Sequence, residues 1–285
     1  MTDTQTPIVE LRKVHKRFGT VVVLRGVDLS LERGRTTVII GESGTGKSVL
    51  LKHMIGLIRP DAGEVYVDGR RVDHLRERQW VPIRQRFGCL FQMGALFDSL
   101  TAGQNVGFPL REHTKLSDRE VESVVAEKLS LVGLDGIRSK WTSELSGGQR
   151  KRVALARAIA LNPDVVLYDE PTTGLDPIRA DMINDLIIKL RTELGITSVV
   201  VTHDMTSAFK VADRIHMLHQ GEFIASGTAE DFRRSSDPRV RRFVTGDADL
   251  EVAGEFDDPD AQESRGVPGG SGSSAAAARA EGDAP

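Results

Sequence analysis

The sequence predicts an α/β fold with a parallel sheet, an antiparallel β subdomain and an inserted α-helical subdomain. The first observation is an apolar, β-branched run at 36–40, followed by a glycine-rich turn and then by apolar residues at helical spacing. The second is that short apolar runs at 165–168 and 197–201 are separated by a segment of helical periodicity at about 178–193. Strands that alternate with helices in this way favour a parallel sheet.

Length and composition describe an ordinary folded protein. The chain has 285 residues, of which 39% are hydrophobic and 28% charged, enough for a substantial core. The single cysteine, Cys89, excludes an internal disulfide and a cysteine-based metal cluster, and it fits a reducing compartment. No secretory signal is visible, and no apolar run reaches the roughly 18 residues of a membrane-spanning helix. If the protein works at a membrane, we expect another chain to supply the spans.

Charge is distributed unevenly along the chain. Residues 246–285 carry ten acidic and two basic side chains, a net charge of −8, which leaves +5 for residues 1–245 because the whole chain carries −3. The same end is rich in Gly, Ser and Ala, a composition that buries too little apolar surface to offset chain entropy. We therefore predict a domain at 1–245 and a tail at 246–285 that is disordered from about 251. The mildly basic domain has no clustered basic face, so we expect no nucleic-acid partner.

The segment before the glycine-rich turn predicts antiparallel strands. Residues 8–11 open the segment, and apolar and polar side chains alternate over 27–31. Between these runs Phe18 adjoins a turn glycine, a position from which its ring could stack on a flat ligand. Most aromatic residues of this kind pack in a core instead, so the signal is weak when it stands alone.

Three elements follow the glycine-rich turn and its helix. The run 64–67 predicts a strand that ends in a tight turn, and a polar helix is predicted at about 73–80. The apolar run 87–91 predicts a further strand. It ends at Gln92, whose side chain could join a metal ion or an attacking water to the loop that follows.

The pattern becomes helical from about 96 to 162. Ser117 and Glu120 form a capping box ahead of helically spaced valines and leucines, and Gly133 is the expected stop. A second helix is predicted to begin after Ser146 and to continue to about 162. The region therefore predicts a helical insertion within the α/β domain.

The strongest functional signal is the glycine-rich turn, which reads Gly41, Glu42, Ser43, Gly44, Thr45, Gly46, Lys47 and Ser48. Its glycines allow several N–H groups to point into one concavity at the positive end of the next helix, where phosphate is stabilised. In this P-loop pattern Lys47 would reach the terminal phosphates and the Ser48 hydroxyl would hold Mg²⁺. A complete pattern between a strand and a helix predicts binding of a nucleoside triphosphate.

Polar side chains end two other predicted strands. Asp169 follows four apolar residues, the pattern that presents a carboxylate to the metal ion of a P-loop. Glu170 could accept a proton from an attacking water, and His203 could hydrogen-bond a terminal phosphate. Taken alone, adjacent acids at a strand end are usually solvated, and a lone histidine usually packs or caps. Because ligands of open α/β sheets bind beyond the carboxyl ends of the strands, we expect these residues to converge on the P-loop.

A second anion site is predicted at the helix start formed by Ser146, Gly147, Gly148 and Gln149. Ser and Gly before a helix again give a positive end that is rich in N–H groups. The chain thus carries two helix-start phosphate sites but only one P-loop lysine. Two copies could meet head to tail around one triphosphate.

These motifs, in this order and spacing, resemble the nucleotide-binding subunit of an ABC transporter over about 8–245. The resemblance implies a P-loop NTPase domain of the ABC type, which binds ATP and Mg²⁺ and hydrolyses ATP as a homodimer. Ser146 and Gly148, with the adjacent Gly147 and Gln149, would act in trans on ATP bound by the partner copy. The other implied roles are Phe18 stacked on adenine, Lys47 and Ser48 on phosphate and Mg²⁺, Gln92 as the Q-loop glutamine and a metal ligand, Asp169 as the Walker B aspartate, Glu170 as catalytic base, Asp176 in the D-loop and His203 as the switch histidine.

A narrower resemblance concerns the Mla/Mce lipid-transport ATPases. It rests on 90–100, 105–106, 108–114 and 237–243. The first of these stretches covers the Q-loop, which faces the permease in ABC proteins. The resemblance implies a separate MlaE-type permease, an MCE-domain protein in the complex and transport of phospholipids between bacterial membranes. It also implies a peripheral position on the cytoplasmic face of the inner membrane, held there by the permease.

Other functions stay open. An ABC ATPase for another cargo, such as an amino acid, would co-purify with a different permease. Soluble ABC proteins that act on ribosomes or DNA often carry paired cassettes or long coiled-coil inserts, and the sequence shows neither. A P-loop kinase would have no use for the motif at Ser146, and a non-enzymatic switch would not need Glu170.

Overall fold

In the computed structural model, which describes residues 6–246, the strands form two separate sheets. The strands are β1 (Val9–Phe18), β2 (Val21–Leu31), β3 (Thr36–Ile40), β4 (Ala62–Val67), β5 (Arg70–Arg71), β6 (Phe87–Leu90), β7 (Val165–Asp169), β8 (Thr197–Thr202), β9 (Arg214–His219) and β10 (Glu222–Gly227). The smaller sheet has the order β2-β1-β4-β5 and the larger the order β10-β9-β3-β8-β7-β6.

Helices connect most of the strands of the larger sheet. They are α1 (Lys47–Met54), α2 (Glu77–Arg84), α3 (Ala102–His113), α4 (Asp118–Leu131), α5 (Gly147–Ala158), α6 (Pro177–Leu194), α7 (Met205–Val211), α8 (Ala229–Arg233) and α9 (Pro238–Thr245). A short 3-10 helix, Thr142–Glu144, precedes α5. Within residues 6–246, none of the helices has the length and apolar character needed to span a membrane.

The larger sheet is parallel from β6 to β9, as the alternation of strands and helices predicts. Every residue of β3 and β8 is buried, which explains why both strands read as continuous apolar or β-branched runs rather than as alternating ones. Among the described strands of this sheet, β10 at the edge is the one that pairs in the antiparallel sense. The carboxyl ends of β3, β7 and β8 therefore lie side by side at one edge of the sheet. The predicted α/β fold class is confirmed.

The smaller sheet is antiparallel, again as predicted, with Val9 opposite Leu31 on β2 and Val67 on β4. Its inward-facing side chains share one hydrophobic cluster with α1 and with one face of the larger sheet, represented by Leu50 and Ile39. This packing lays β2 directly against the turn between β3 and α1.

The helices α3, α4 and α5 lie between β6 and β7 in the chain and pack on the opposite face of the larger sheet. Their buried apolar residues form a second cluster with Val38 and Val166 of that sheet. The capping box at the start of α4 is present, since the Ser117 N–H donates to Glu120 Oε2 at 2.7 Å and Ser117 Oγ accepts from the Glu120 N–H at 3.4 Å. The sequence did not predict α3 as a separate helix, because Gly103, Gly107 and Pro109 interrupt its hydrophobic periodicity.

Two predicted boundaries are wrong. The polar helix placed at about 73–80 is α2, which begins four residues later. Asp73 is held to the adjacent strand, because its carboxylate accepts from the Val65 N–H at 3.0 Å, and Gln79 accepts from the Arg76 N–H at the true helix start. The helix after Ser146 ends at Ala158 rather than near 162, and a turn follows it. The predicted acidic tail lies outside the described residues except for Gly246.

Candidate nucleotide-binding site

The turn between β3 and α1 has a backbone that only glycine adopts readily. Gly41, Gly44 and Gly46 have φ values of +152°, +84° and +101°. A Cβ on Gly46 would lie 2.8 Å from Val23 Cγ1 of β2, and one on Gly41 would collide with the carbonyl oxygen of Leu218. The glycine at each of these two places is thus required both by the backbone angle and by space. The N–H groups at the start of α1 face the loop, as phosphate binding requires.

Lys47 begins α1 and is almost fully buried, with 6% of its surface exposed. Its Nζ donates to the carbonyl oxygens of Gly41 and Glu42, both at 2.7 Å. Burial lowers the pKa of Lys47, and the nearby carboxylates of Glu170, Asp169 and Glu42 oppose that shift. The side chain is therefore bent back over its own loop, so that its cation lies where phosphate oxygens would enter.

Ser48 and Asp169 form the contact that joins the loop to the end of β7. Ser48 Oγ donates to Asp169 Oδ1 at 2.8 Å. Burial raises the pKa of the Asp169 carboxyl, and the hydrogen bond from Ser48 opposes that shift. A hydroxyl and a carboxylate oxygen at this distance fit Mg²⁺, which prefers hard oxygen ligands and takes the remaining positions from phosphate and water. In residues 6–246 no group of three or more His, Cys, Asp or Glu side chains could form an all-protein metal cage.

Glu170 lies beyond the end of β7 in an unusual backbone conformation, with φ of +50°. Its carboxylate accepts hydrogen bonds from Thr173 Oγ1 at 3.0 Å and from Thr202 Oγ1 at 3.4 Å. Nδ1 of His203 lies 2.9 Å from a carboxylate oxygen of Glu170. The Glu170 N–H also donates to the Val201 carbonyl, which continues the pairing of β7 with β8. Glu170 is thus held in one orientation by groups from its own turn and from the neighbouring strand end.

Lys47, Ser48, Glu170 and His203 line an open cavity of about 360 Å³, within the usual size range of ligand pockets, whereas Asp169 is not part of its lining. Its lining residues are Phe18, Val23, Ser43, Gly44, Gly46, Lys47, Ser48, Val49, Gln92, Glu170 and His203. Phe18 is about half exposed, and Lys16 Nζ lies over its ring at 5.3 Å from the centroid. The structure therefore brings together most of the residues that the sequence predicts for the P-loop side of the site.

A second set of predicted residues does not line this cavity. Ser146 is exposed and caps α5, accepting from the Gln149 N–H at 3.3 Å, while the Ser146 N–H donates to Gln149 Oε1 at 2.9 Å. Asp176 caps α6 and accepts from the Arg179 N–H at 3.0 Å. Gly147 and Gly148 belong to the first turn of α5. Within one chain these residues therefore lie outside the cavity lining.

Three predicted P-loop residues lie beside the cavity rather than in its lining. Gly41 and Glu42 accept from Lys47, and Thr45 Oγ1 donates to the Glu42 carbonyl at 2.9 Å. They shape the loop through these internal bonds.

The sequence did not single out Thr173 and Thr202, whose hydroxyls orient Glu170. For Thr202 a signal existed, because it directly precedes His203 at the end of a predicted strand. Thr173 lies in a turn that no periodicity marks, so only the folded chain places its hydroxyl on Glu170.

Known proteins resemble this chain over most of its described length. The family model described as "ABC transporter" matches residues 24–173. The probable ribonucleotide transport ATP-binding protein Mkl of Mycobacterium leprae (strain TN) is 42% identical over 238 residues, which cover 84% of this chain and 69% of that protein. The intermembrane phospholipid transport system ATP-binding protein MlaF of Haemophilus influenzae (strain ATCC 51907 / DSM 11121 / KW20 / Rd) is 41% identical over 242 residues, 85% of this chain and 92% of that protein.

A solved structure of similar fold is the dimeric post-hydrolysis state of the ATP-binding cassette MJ0796 bound to ADP and Pi. It superposes with a TM-score of 0.72 at 36% sequence identity, covering 78% of this chain and 98% of that one. The site described above therefore lies in a fold that is known with the products of ATP hydrolysis bound.

Proposed function

This chain belongs to the ABC transporter family and is an ATPase of that family, and on that premise we propose that it powers phospholipid transport between bacterial membranes through a separate MlaE-type permease. The observation that carries the proposal is the match to MlaF over 92% of that protein's length, combined with a P-loop cavity into which Lys47, Ser48 and Glu170 all project. The match supports the cargo, and the cavity supports the chemistry.

The residues of the cavity divide the work of ATP hydrolysis. The P-loop N–H groups and Lys47 bind the phosphates and stabilise the charge that spreads over the transferred phosphoryl group. Glu170 accepts a proton from the attacking water, and Thr173, Thr202 and His203 keep its carboxylate in place. Mg²⁺, held by Ser48 and Asp169 with Gln92 as a further ligand, would neutralise charge on the phosphate oxygens. Phe18 would bind the adenine ring.

The exposed side chains of Ser146 and Asp176 support a homodimer, whereas Gly148 is buried within its own chain. Ser146 and Gly148 at the start of α5, with Asp176, would close over ATP bound in the cavity of the other copy. Helix-start N–H groups suit this role because they stabilise phosphate charge. The dimer of the similar cassette MJ0796 supports the same arrangement.

The permease would bind in a groove of about 540 Å³ between α2, β6 and α3. Phe91, Phe97 and Phe108 line the groove, and each leaves about two fifths of its surface exposed. Large exposed aromatic residues gathered in one groove mark an interaction site more often than a free surface. The groove adjoins Gln92, which lines the nucleotide cavity, so a permease helix there would lie next to the site of hydrolysis. The chain would then sit on the cytoplasmic face of the inner membrane, with an MCE-domain protein in the same complex.

A second cargo deserves a test, because the Mkl relative is named for ribonucleotide transport. Its identity to this chain is similar to that of MlaF, but this chain spans a smaller part of it. The phospholipid assignment is therefore the better supported of the two.

The test is to purify this subunit with its permease from native membranes, identify the co-purifying lipid, and measure transport in proteoliposomes. We expect a phospholipid in the complex and ATP-dependent movement of labelled phospholipid. The Glu170→Gln variant should bind ATP, lose turnover by about a hundredfold or more, and stop transport. Transport of a ribonucleotide without lipid movement would refute the lipid assignment, and full hydrolysis by Glu170→Gln would remove Glu170 from its role.

A further inference from the structure

Lys151 is a buried lysine that the chemistry described above does not use. It lies in α5, one turn and a half after Ser146, and only 8% of its surface is exposed. Its Nζ donates to three backbone carbonyl oxygens, those of Glu170 at 3.2 Å, Pro171 at 2.8 Å and Thr173 at 2.9 Å. An ammonium group has three N–H donors, and all three donors of Lys151 bind carbonyl oxygens of the same turn.

The turn that Lys151 holds is the turn that orients Glu170. Thr173, whose carbonyl accepts from Lys151, donates its own hydroxyl to the Glu170 carboxylate. Glu170 itself has the left-handed backbone angle noted above, which costs energy in a residue with a Cβ and persists only where surrounding contacts enforce it. Charge-assisted hydrogen bonds from a buried cation are among the stronger contacts able to do so.

Burial of a lysine costs free energy of folding, so a buried lysine at this position calls for an explanation. Desolvation lowers the pKa of Lys151, and the Glu170 carboxylate opposes that shift. A neutral, well-packed side chain would often serve stability as well as a buried cation does. The cost is explained if the lysine fixes a geometry on which activity depends.

We propose that Lys151 is a positioning residue that fixes Glu170 through the 170–173 turn and ties it to the helix that Ser146 caps. This inference rests on the proposed roles of Glu170 and Ser146. In a head-to-tail dimer, α5 of one copy would contact ATP in the partner's cavity, while its Lys151 holds the base of its own cavity. The same helix would then take part in two sites. Its start would close over the ATP of the partner copy, and its Lys151 would orient Glu170 in the cavity of its own copy.

The chain offers a matched control in Lys128 of α4. This lysine is buried to a similar degree, with 4% of its surface exposed, and its Nζ donates to Glu127 Oε1 and to Asn162 Oδ1, both at 2.8 Å. Neither partner lines the nucleotide cavity. Lys128→Met therefore measures what the loss of a buried ammonium does to stability alone.

The experiment compares Lys151→Met, Lys151→Arg and Lys128→Met in the purified full chain. We expect Lys151→Met to lower kcat roughly 10- to 100-fold, the range expected when a catalytic group is misplaced by about 1 Å, with the Kd for ATP changed less than about twofold. Lys151→Arg, which keeps the charge and several donors, should recover part of kcat. Lys128→Met should lower Tm and keep kcat within about twofold of the unmodified protein. If Lys151→Met is insoluble, Lys151→Gln, which keeps two amide donors, replaces it and should also lower kcat.

A double-mutant cycle decides whether Lys151 acts through Glu170. Single-turnover hydrolysis is measured for Glu170→Gln with and without Lys151→Met. If the lysine acts through the base, the second change adds less than about twofold to the loss. Losses that multiply, or an unchanged kcat in Lys151→Met, would overturn the proposal. Failure of Glu170→Gln to lower turnover would instead refute the assigned base, and neither result depends on the permease or its cargo.

Discussion

Asp169 is a residue whose proposed role as a metal ligand lowers the stability of the fold. Its carboxyl is half-buried at the end of β7, and this partial burial raises its pKa. A carboxyl whose pKa is higher in the folded than in the unfolded chain costs stability when it is ionised. That cost is present above the folded pKa and disappears as the pH falls below the unfolded pKa, which is about 3.9.

We therefore expect Asp169→Asn to raise Tm of the nucleotide-free protein at pH 7 and to abolish Mg²⁺-dependent ATP hydrolysis. The gain in Tm should shrink as the pH falls through the folded pKa and approach zero only below about pH 3.9. Thermal unfolding across this pH range, with the exposed Asp135→Asn as control, measures the effect. A lower Tm for Asp169→Asn at pH 7 would contradict the assigned direction of the pKa shift.

Thr173 contributes one hydrogen bond to the orientation of Glu170. Thr173→Val keeps the shape of the side chain and removes the donor, and a net hydrogen bond is worth about 0.5–1.5 kcal/mol. We expect kcat to fall by about 2- to 10-fold with little change in ATP affinity. Thr192→Val, which removes an exposed hydroxyl bonded within α6, is the control and should leave kcat unchanged. Equal kcat in the two variants would show that the hydroxyl of Thr173 does not matter.

At the scale of elements, α5 connects the parts of the molecule that the proposed cycle uses. Ser146 caps its start, Lys151 holds the turn after β7, and Arg157 near its end donates to the carbonyl oxygens of Gly94 at 3.0 Å and Ala95 at 2.8 Å. The last two residues belong to the segment after Gln92 that borders the permease groove. One helix thus contacts both the 170–173 turn and the groove, and under the proposed function it would couple hydrolysis to the permease.

The groove can be tested with an exposed aromatic residue. Phe108 is 39% exposed and its ring centroid lies 4.8 Å from that of Phe97. We expect Phe108→Ser to weaken binding to the permease by about tenfold or more, since aromatic residues in the centre of an interface often contribute 2 kcal/mol or more. The control is Leu194→Ser, a 46% exposed residue at the end of α6 outside the groove. Equal permease affinity of the two variants, measured in detergent, would place the interface elsewhere.

The sequence predicted some elements better than others for physical reasons. The segment from β3 to Ser48 was predictable because an apolar strand, required glycines and a helical pattern are all local signals. The start of α2 was misplaced because Asp73 bonds to Val65, a contact that a polar run does not reveal. Local signals also predicted part of the site, since Lys47 belongs to a motif and Asp169 and Glu170 follow an apolar run. Lys151 was not predicted, because its partners lie about 20 residues away in a turn.

At the scale of the whole molecule, the proposed site needs residues that do not line the cavity of the same chain. Ser146 and Asp176 lie outside its lining, and in the proposed homodimer the partner copy would supply them. We expect the ATPase rate per subunit to rise with protein concentration in the range of the dimer affinity and to level off above it. Sedimentation or mass photometry with the Glu170→Gln variant and ATP should show a dimer. A constant rate per subunit far below that affinity would contradict the shared site.

The left-handed backbone at Glu170 has a consequence for any effort to make this protein more heat-resistant. Glycine and asparagine adopt that angle at less cost than glutamate, so a screen that rewards survival at high temperature should favour them at this position. We expect the variants selected in this way to have a higher Tm and to have lost ATP turnover. Thermal selection on this protein should therefore be run together with an assay for turnover, because it would otherwise discard the residue that we propose as the catalytic base.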